Sequence, residues 1–175
     1  RWIPSTTDPA RDAGATLRAG PEGTHVLVEP VTERDTPLWL FGAGHVGRAL
    51  VHVLADLPFH LHWIDSREAA LLPDADARVQ LCADPVEAVA DVEEGAIALV
   101  MTHSHPLDYR LCEALLAQGR VARLGLIGSR TKAARFRSRL RRDPACAPAL
   151  ARLVSPIGMP GITGKEPAVI AVSVA

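Results

Sequence analysis

Aromatic residues are scarce, at 4% of a 175-residue chain. That shortage predicts a core built from Leu, Val, Ala and Ile, the residues of a parallel sheet wrapped in helices. Hydrophobic residues still make up 48% of the chain, enough for a proper core. An excess of either charge is also lacking, since the net charge is −1. A nucleic-acid binder that relies on its overall field is therefore excluded, though a local basic patch is not. No apolar run approaches the roughly 18–20 residues that span a bilayer, and the N-terminus lacks a charged-then-apolar leader pattern. Cysteines are few and scattered: Cys82, Cys112 and Cys146, with no C-x-x-C pair. They read as reduced thiols, buried or incidental, in a cytoplasmic protein. The G-K-[ST] of a Walker loop and the G-x-S-x-G of a nucleophile elbow are both missing.

Against these absences stands a regular alternation of patterns. Residues 1–23 are rich in Pro, Gly, Asp and Arg and read as linker. Residues 24–30 form a short strand pattern ended by Pro30, and residues 31–37 are polar up to Pro37. This predicts a boundary at 37, with 1–37 the connector and last strand of another domain and 38–175 one α/β domain. Strands are expected at 38–41, 60–64, 78–81, 96–101 and 124–127. Helices are expected at 45–57, 107–118, 130–142 and 145–153, with short ones opened by Asp84-Pro85 and Glu166-Pro167. Such an order makes a Rossmann-like three-layer α/β/α domain with an open, mainly parallel sheet. The chain starts at Arg1 and stops inside a helical pattern, as a piece of a longer protein would.

Four clusters fall at strand ends, where ligands of open α/β sheets bind. The first is Gly42-x-Gly44-x-x-Gly47, placed after an apolar strand and opening a helix. Gly42 suits the tight turn, Gly44 the approach of a pyrophosphate, and Gly47 close helix packing. Val46 belongs to the same turn, and His45 is an unusual residue inside it. Asp65 stands about 20 residues on, where a ribose hydroxyl is met, with Arg67 placed for an adenine face or a 2′-phosphate. The second cluster is Thr102-His103-Ser104-His105 with Asp108. It suits a crevice wall or proton handling, and its H-x-H plus Asp also leaves open a zinc-type metal site at His103, His105 and Asp108. The third is Gly128-Ser129-Arg130-x-Lys132, a second strand-glycine-helix turn with anion-binding character. The basic residues after it (Arg135, Arg137, Arg139, Arg141, Arg142) read as a solvated face. The fourth is the Gly/Pro-rich loop at 156–167, with Lys165 before a helix start. His25, His52, His60 and His62 read as structural or surface residues.

Taken in order, Phe41 through Gly47, Thr102 through Asp108, Gly125 through Lys132 and Pro156 through Pro167 together resemble the xanthine dehydrogenase accessory proteins, the XdhC/CoxI family. The resemblance covers residues 24–175. It implies a maturation factor that binds molybdenum cofactor, assists its sulfuration and passes it to a molybdenum hydroxylase such as xanthine dehydrogenase. A cysteine desulfurase partner and a homodimer are implied with it, and no catalytic residue of its own. Gly42, Gly44, His45 and Gly47 would line one phosphate turn, and Gly128, Ser129, Arg130 and Lys132 the other. His103, His105 and Asp108 would border the crevice between them. The family's N-terminal, Cys-bearing segment has no counterpart here, which leaves Cys82 and Cys112 on segments unlike it. Two other readings stay open from the residues alone. One is an NAD- or NADP-dependent oxidoreductase or redox-sensing module, with His103 or His105 as acid or base. The other is a metal-dependent hydrolase using His103, His105 and Asp108.

Overall fold

A computed structural model describes residues 16–20, 24–28, 36–67 and 79–175. The remaining parts of the expected linker (1–15, 21–23), of the strand pattern (29–30) and of the polar segment (31–35), with the first residue of the strand expected at 78–81, lie outside the described residues. The chain divides into two compact units, Arg1–Arg34 and Asp35–Ala175. In the first, β1 (Thr16–Ala19) pairs antiparallel with β2 (His25–Val28). The strand at 25–28 was expected. Its partner falls where the composition pointed to linker, because four residues are too few to show a period.

The second unit carries a six-stranded sheet. Its strands are β3 (Thr36–Phe41), β4 (Phe59–Asp65), β5 (Val79–Leu81), β6 (Ile97–Val100), β7 (Arg123–Leu126) and β8 (Leu153–Val154). All neighbouring pairs are parallel, in the order β5-β4-β3-β6-β7-β8. Numbered from β3, that is 3-2-1-4-5-6, the order of a doubly wound dinucleotide-binding sheet. The order reverses between β3 and β6, so the switch point lies where the glycine loop leaves β3.

Both faces of the sheet are covered. Along β3, Leu38 and Leu40 enter one core and Trp39 and Phe41 the other, as the two-residue period of a strand requires. On the first face lie α1 (His45–Val53), through Leu50, and α4 (Pro167–Val174), through Ala171. On the second lie α2 (His105–Gln118), through Leu111 and Leu115, and α3 (Arg130–Leu140), through Phe136 and Leu140. This is the expected three-layer α/β/α arrangement. The core is built mainly from Leu, Val, Ala and Ile, as expected, and Trp39, Phe41, Trp63, Tyr109 and Phe136 are buried among them.

Helix ends differ from expectation in instructive ways. Helix α1 stops at Val53 rather than 57, and Val53 and Leu57 are exposed. Pro58 bars helical backbone at Leu57, so the chain turns before it. Helix α2 begins at His105 rather than 107, because Ser104 caps it and Pro106 fits its first turn. The helix expected at 145–153 is a 3-10 turn, Ala147–Arg152, that runs into β8. No helix among the described residues is long and apolar enough to cross a membrane.

Candidate functional site

The glycine loop is built by close contacts. Gly42 has φ +118°, and a Cβ there would lie 2.4 Å from the Met101 carbonyl oxygen. A Cβ on Gly47 would lie 2.3 Å from the Gly42 carbonyl oxygen, so only glycine lets α1 start against the strand end. Gly44 differs: nothing lies within 4 Å of a Cβ built on it. The space beside it is open, as an approaching phosphate needs.

The first turn of α1 is also electrically available. Gly44 is its N-cap with no side-chain cap bond, and no acidic residue sits in that turn. By contrast, Ser104 Oγ accepts from the Leu107 N–H at α2, and Ser129 Oγ accepts from the Lys132 N–H at α3. Among the described residues no side chain caps the first-turn N–H groups of α1, which together with the positive end of the helix dipole suit an anion. His45 is exposed at that end, while Val46 packs on the core and offers its backbone.

Asp65 closes the loop from the next strand. Its Oδ2 accepts from the Ala43 N–H at 2.6 Å and from Arg67 Nη2 at 2.8 Å. Its Oδ1 accepts from the Arg67 N–H at 2.8 Å and from Arg67 Nε at 3.0 Å. Four donors fill the roughly four acceptor positions of a carboxylate. A ribose hydroxyl would thus reach Asp65 only by displacing one of them, most readily Arg67. Burial alone would raise this carboxyl's pKa, but the bonds from Arg67 and Ala43 outweigh it and hold it below the ordinary carboxylate range. A depressed folded-state pKa stabilises the fold above the unfolded value near 3.9 and ceases to do so as pH falls through the folded value. Asp65→Asn is therefore expected to cost on the order of 2 kcal/mol at pH 7, the scale of charge-assisted hydrogen bonds. That cost should shrink below about pH 4. Urea unfolding of both proteins at pH 7 and pH 3.5 checks this; a pH-independent difference would refute the assignment.

Gly42, Asp65, Thr102 and His103 line one small depression with Ile64, Pro85 and Leu107. The structure thus brings the first two clusters together at the switch point. The second cluster itself is split. His103 faces the depression, whereas His105 lines a separate groove between α2 and α3. Asp108 is fully buried, accepting from the Thr102 N–H at 3.1 Å and from Thr102 Oγ1 at 2.7 Å on one oxygen and pairing with Lys132 on the other. The metal site at His103, His105 and Asp108 that the sequence left open finds no support in this arrangement. The three side chains point to three places, and the carboxylate is already neutralised.

Lys132 is turned inward as well. Its Nζ meets Asp108 Oδ2 and donates to the Ile127 carbonyl at 2.9 Å, with 8% of the residue exposed. It braces the two loops from below and does not offer its charge to a ligand in the third turn. Gly128, Ser129 and Arg130 are exposed at that turn, where Ser129 serves as the cap. Lys165 is exposed before α4, its N–H donating to Glu166 Oε2. The loop at 155–159 is drawn over β7: Ser155 Oγ donates to the Leu126 carbonyl, and the Ile157 N–H does the same.

The groove between α2 and α3 went unread in the sequence. Its volume is about 460 Å³, with Tyr109 and Phe136 in its lining and Arg135, Arg139 and Arg142 around it. The Arg139 guanidinium lies 3.9 Å over the Tyr109 ring. The signal was available, since Arg135, Arg139 and Arg142 share one helix face at i, i+4, i+7. Of the cysteines, Cys112 and Cys146 are buried, and burial pushes both thiols up, Cys146 to about 11. Cys82 is half-buried at the end of β5, and its N–H donates to the Asp65 carbonyl.

A 3-2-1-4-5-6 sheet with an open glycine turn at its switch point, uncapped by a side chain, defines a Rossmann-type domain. The family model for the XdhC Rossmann domain matches residues 38–175, and the chain belongs to that family. A crystal structure described as a xanthine dehydrogenase from Bacillus halodurans is similar to it, with 25% identity and a TM-score of 0.63. The likeness covers 86% of this chain and 42% of that one, so the chain spans less than half the length of that protein. No curated protein matches the chain.

Proposed function

We propose that this domain is the cofactor-holding part of a maturation factor for a molybdenum hydroxylase of the xanthine dehydrogenase type. Its cargo would be molybdenum cofactor, a pterin with a phosphate, often extended by a nucleotide. The observation that carries this reading is the open, uncapped turn at Gly44 within a domain of the XdhC family. First-turn N–H groups of α1 would take the phosphate. His103 and Thr102 would border the pterin side of the depression, and Arg130 with Ser129 would extend the anion surface along the next strand end. Assistance to sulfuration would draw on a donor outside this domain, such as a cysteine desulfurase; within it, Cys112 and Cys146 are buried with their thiols pushed up, and the half-buried Cys82 Sγ donates to the Asp84 carbonyl. The recipient would be the hydroxylase itself, and the domain would act as a carrier with no chemistry of its own.

The strand order and the glycine loop equally suit a dinucleotide, so NAD or NADP is the second reading. Calorimetric titration separates the two. Saturable binding of anaerobically handled molybdenum cofactor, with NAD and NADP at least tenfold weaker, is the expected result. Tight NAD(P) binding with no cofactor binding would overturn the carrier reading and favour an oxidoreductase or redox-sensing module.

A further inference from the structure

A second constellation lies at the other end of the sheet. His60 and His62 sit two residues apart in the first half of β4, so both side chains leave the same face. Glu93 precedes β6, two strands away across β3. One nitrogen of each imidazole and one oxygen of Glu93 all lie within 4.8 Å of one another. The phosphate turn, Asp65 and Thr102 all stand at the opposite, carboxyl ends of these strands, so this cluster is not part of the crevice.

Three features mark the cluster as built for a ligand. First, one pair of donor atoms is already spaced as around a four-coordinate ion. Bonds of 2.0–2.1 Å at tetrahedral angles put neighbouring donor atoms about 3.3 Å apart, and His62 Nε2 stands 3.2 Å from Glu93 Oε1. Second, His62 Nε2 is closed off from solvent and has no hydrogen-bond partner among the described residues, although Glu93 Oε1 stands 3.2 Å away. A buried nitrogen without a partner is costly, and an ion between the two atoms would satisfy it. Third, the ligands are held from behind. Trp39 Nε1 donates to the other Glu93 oxygen at 2.6 Å, and the Trp39 ring stacks on His62 with centroids 4.2 Å apart and 9° between planes. Outer contacts of this kind fix ligand orientation in metal sites.

We infer that His60, His62 and Glu93 bind one divalent transition-metal ion of the zinc class. Two imidazoles and a carboxylate are ligands that Zn²⁺, Co²⁺ and Ni²⁺ accept, and hard ions such as Mg²⁺ favour less. His60 is exposed, so its ring is free to swing the short distance onto the ion by a rotamer change. The exposed side leaves the fourth position to water.

The test uses the metal-free chain titrated with Zn²⁺ and Co²⁺. One equivalent should bind, and Co²⁺ should quench Trp39, whose ring lies against a ligand. His60→Ala, at an exposed position, should weaken binding about 100-fold, the upper end of what even outer-contact losses cost. Glu93→Gln keeps an acceptor for Trp39 and should weaken it similarly, with an unchanged circular dichroism spectrum. A His103→Ala/His105→Ala double variant should bind as the wild type does. The inference fails if the wild type takes up no equivalent. It fails too if the equivalent survives in His60→Ala and Glu93→Gln, or if it disappears with His103 and His105.

Discussion

Lys132→Met is expected to destabilise the domain by about 3–5 kcal/mol, the cost of leaving one member of a buried ion pair alone. Asp108 is fully buried and Lys132 nearly so. The methionine keeps the stem that packs beside Gly128 but removes the ammonium. The Asp108 carboxylate would then retain only the Thr102 N–H and hydroxyl, both on one oxygen. Asp108→Asn should be destabilising as well, since it leaves the buried Lys132 ammonium without its counter-charge. Because the pair is a single unit, the double variant should cost at least 1 kcal/mol less than the sum of the singles, within the usual range for contacting residues. Urea unfolding of the four proteins measures this. A loss below about 1 kcal/mol for Lys132→Met would show that the pair is not what joins the two loops. The pair matters beyond stability. It ties the Thr102–His105 segment, on one side of the crevice, to Ile127 and Gly128 on the other. Loosening it should also degrade ligand affinity, without any change at a ligand-facing side chain.

That brace shows where sequence reading stopped. The sheet was legible because its strands are apolar runs, and the phosphate turn because glycine spacing follows from backbone contacts. Asp108 and Lys132 were also singled out, but for the wrong reason. An Asp beside two histidines and a Lys beside a Ser look alike whether they face a ligand or each other. Only the topology, which puts β6 beside β7, decides that they meet. Asp65 is a similar case. Its position after β4 was readable, whereas its saturation by Ala43 and Arg67 depends on side-chain placement. His60 and His62 looked like ordinary surface residues for the same reason, since Glu93 lies thirty-one positions beyond His62 in the chain. The groove between α2 and α3 needed no such meeting of distant segments. Its arginines show helical spacing that a charge-based reading set aside.

Gly44→Asp is expected to separate ligand binding from stability in opposite directions. At this position φ is −75° and ψ −175°, the extended backbone an N-cap adopts, so a side chain brings no strain. The space around its Cβ is empty. Aspartate is a better N-cap than glycine and places a negative charge at the positive end of α1. The variant should therefore be as stable as the wild type, or more stable by a few tenths of a kcal/mol. For a phosphate-bearing ligand the same change is adverse twice over. The carboxylate occupies the open space, takes up the free N–H groups and repels a second anion. Affinity for molybdenum cofactor, or for NAD under the second reading, should fall about 100-fold or more, roughly 2.7 kcal/mol. Gly47→Ala supplies the contrast. Its Cβ would sit 2.3 Å from the Gly42 carbonyl oxygen, so backbone must move, at about 1–3 kcal/mol of stability. A Gly44→Asp protein that binds within threefold of the wild type would remove α1 from the site and shift attention to the exposed turn at Gly128, Ser129 and Arg130. A protein that loses binding while melting at or above the wild-type temperature would establish that the anion meets the helix start at Gly44, whichever cofactor carries it.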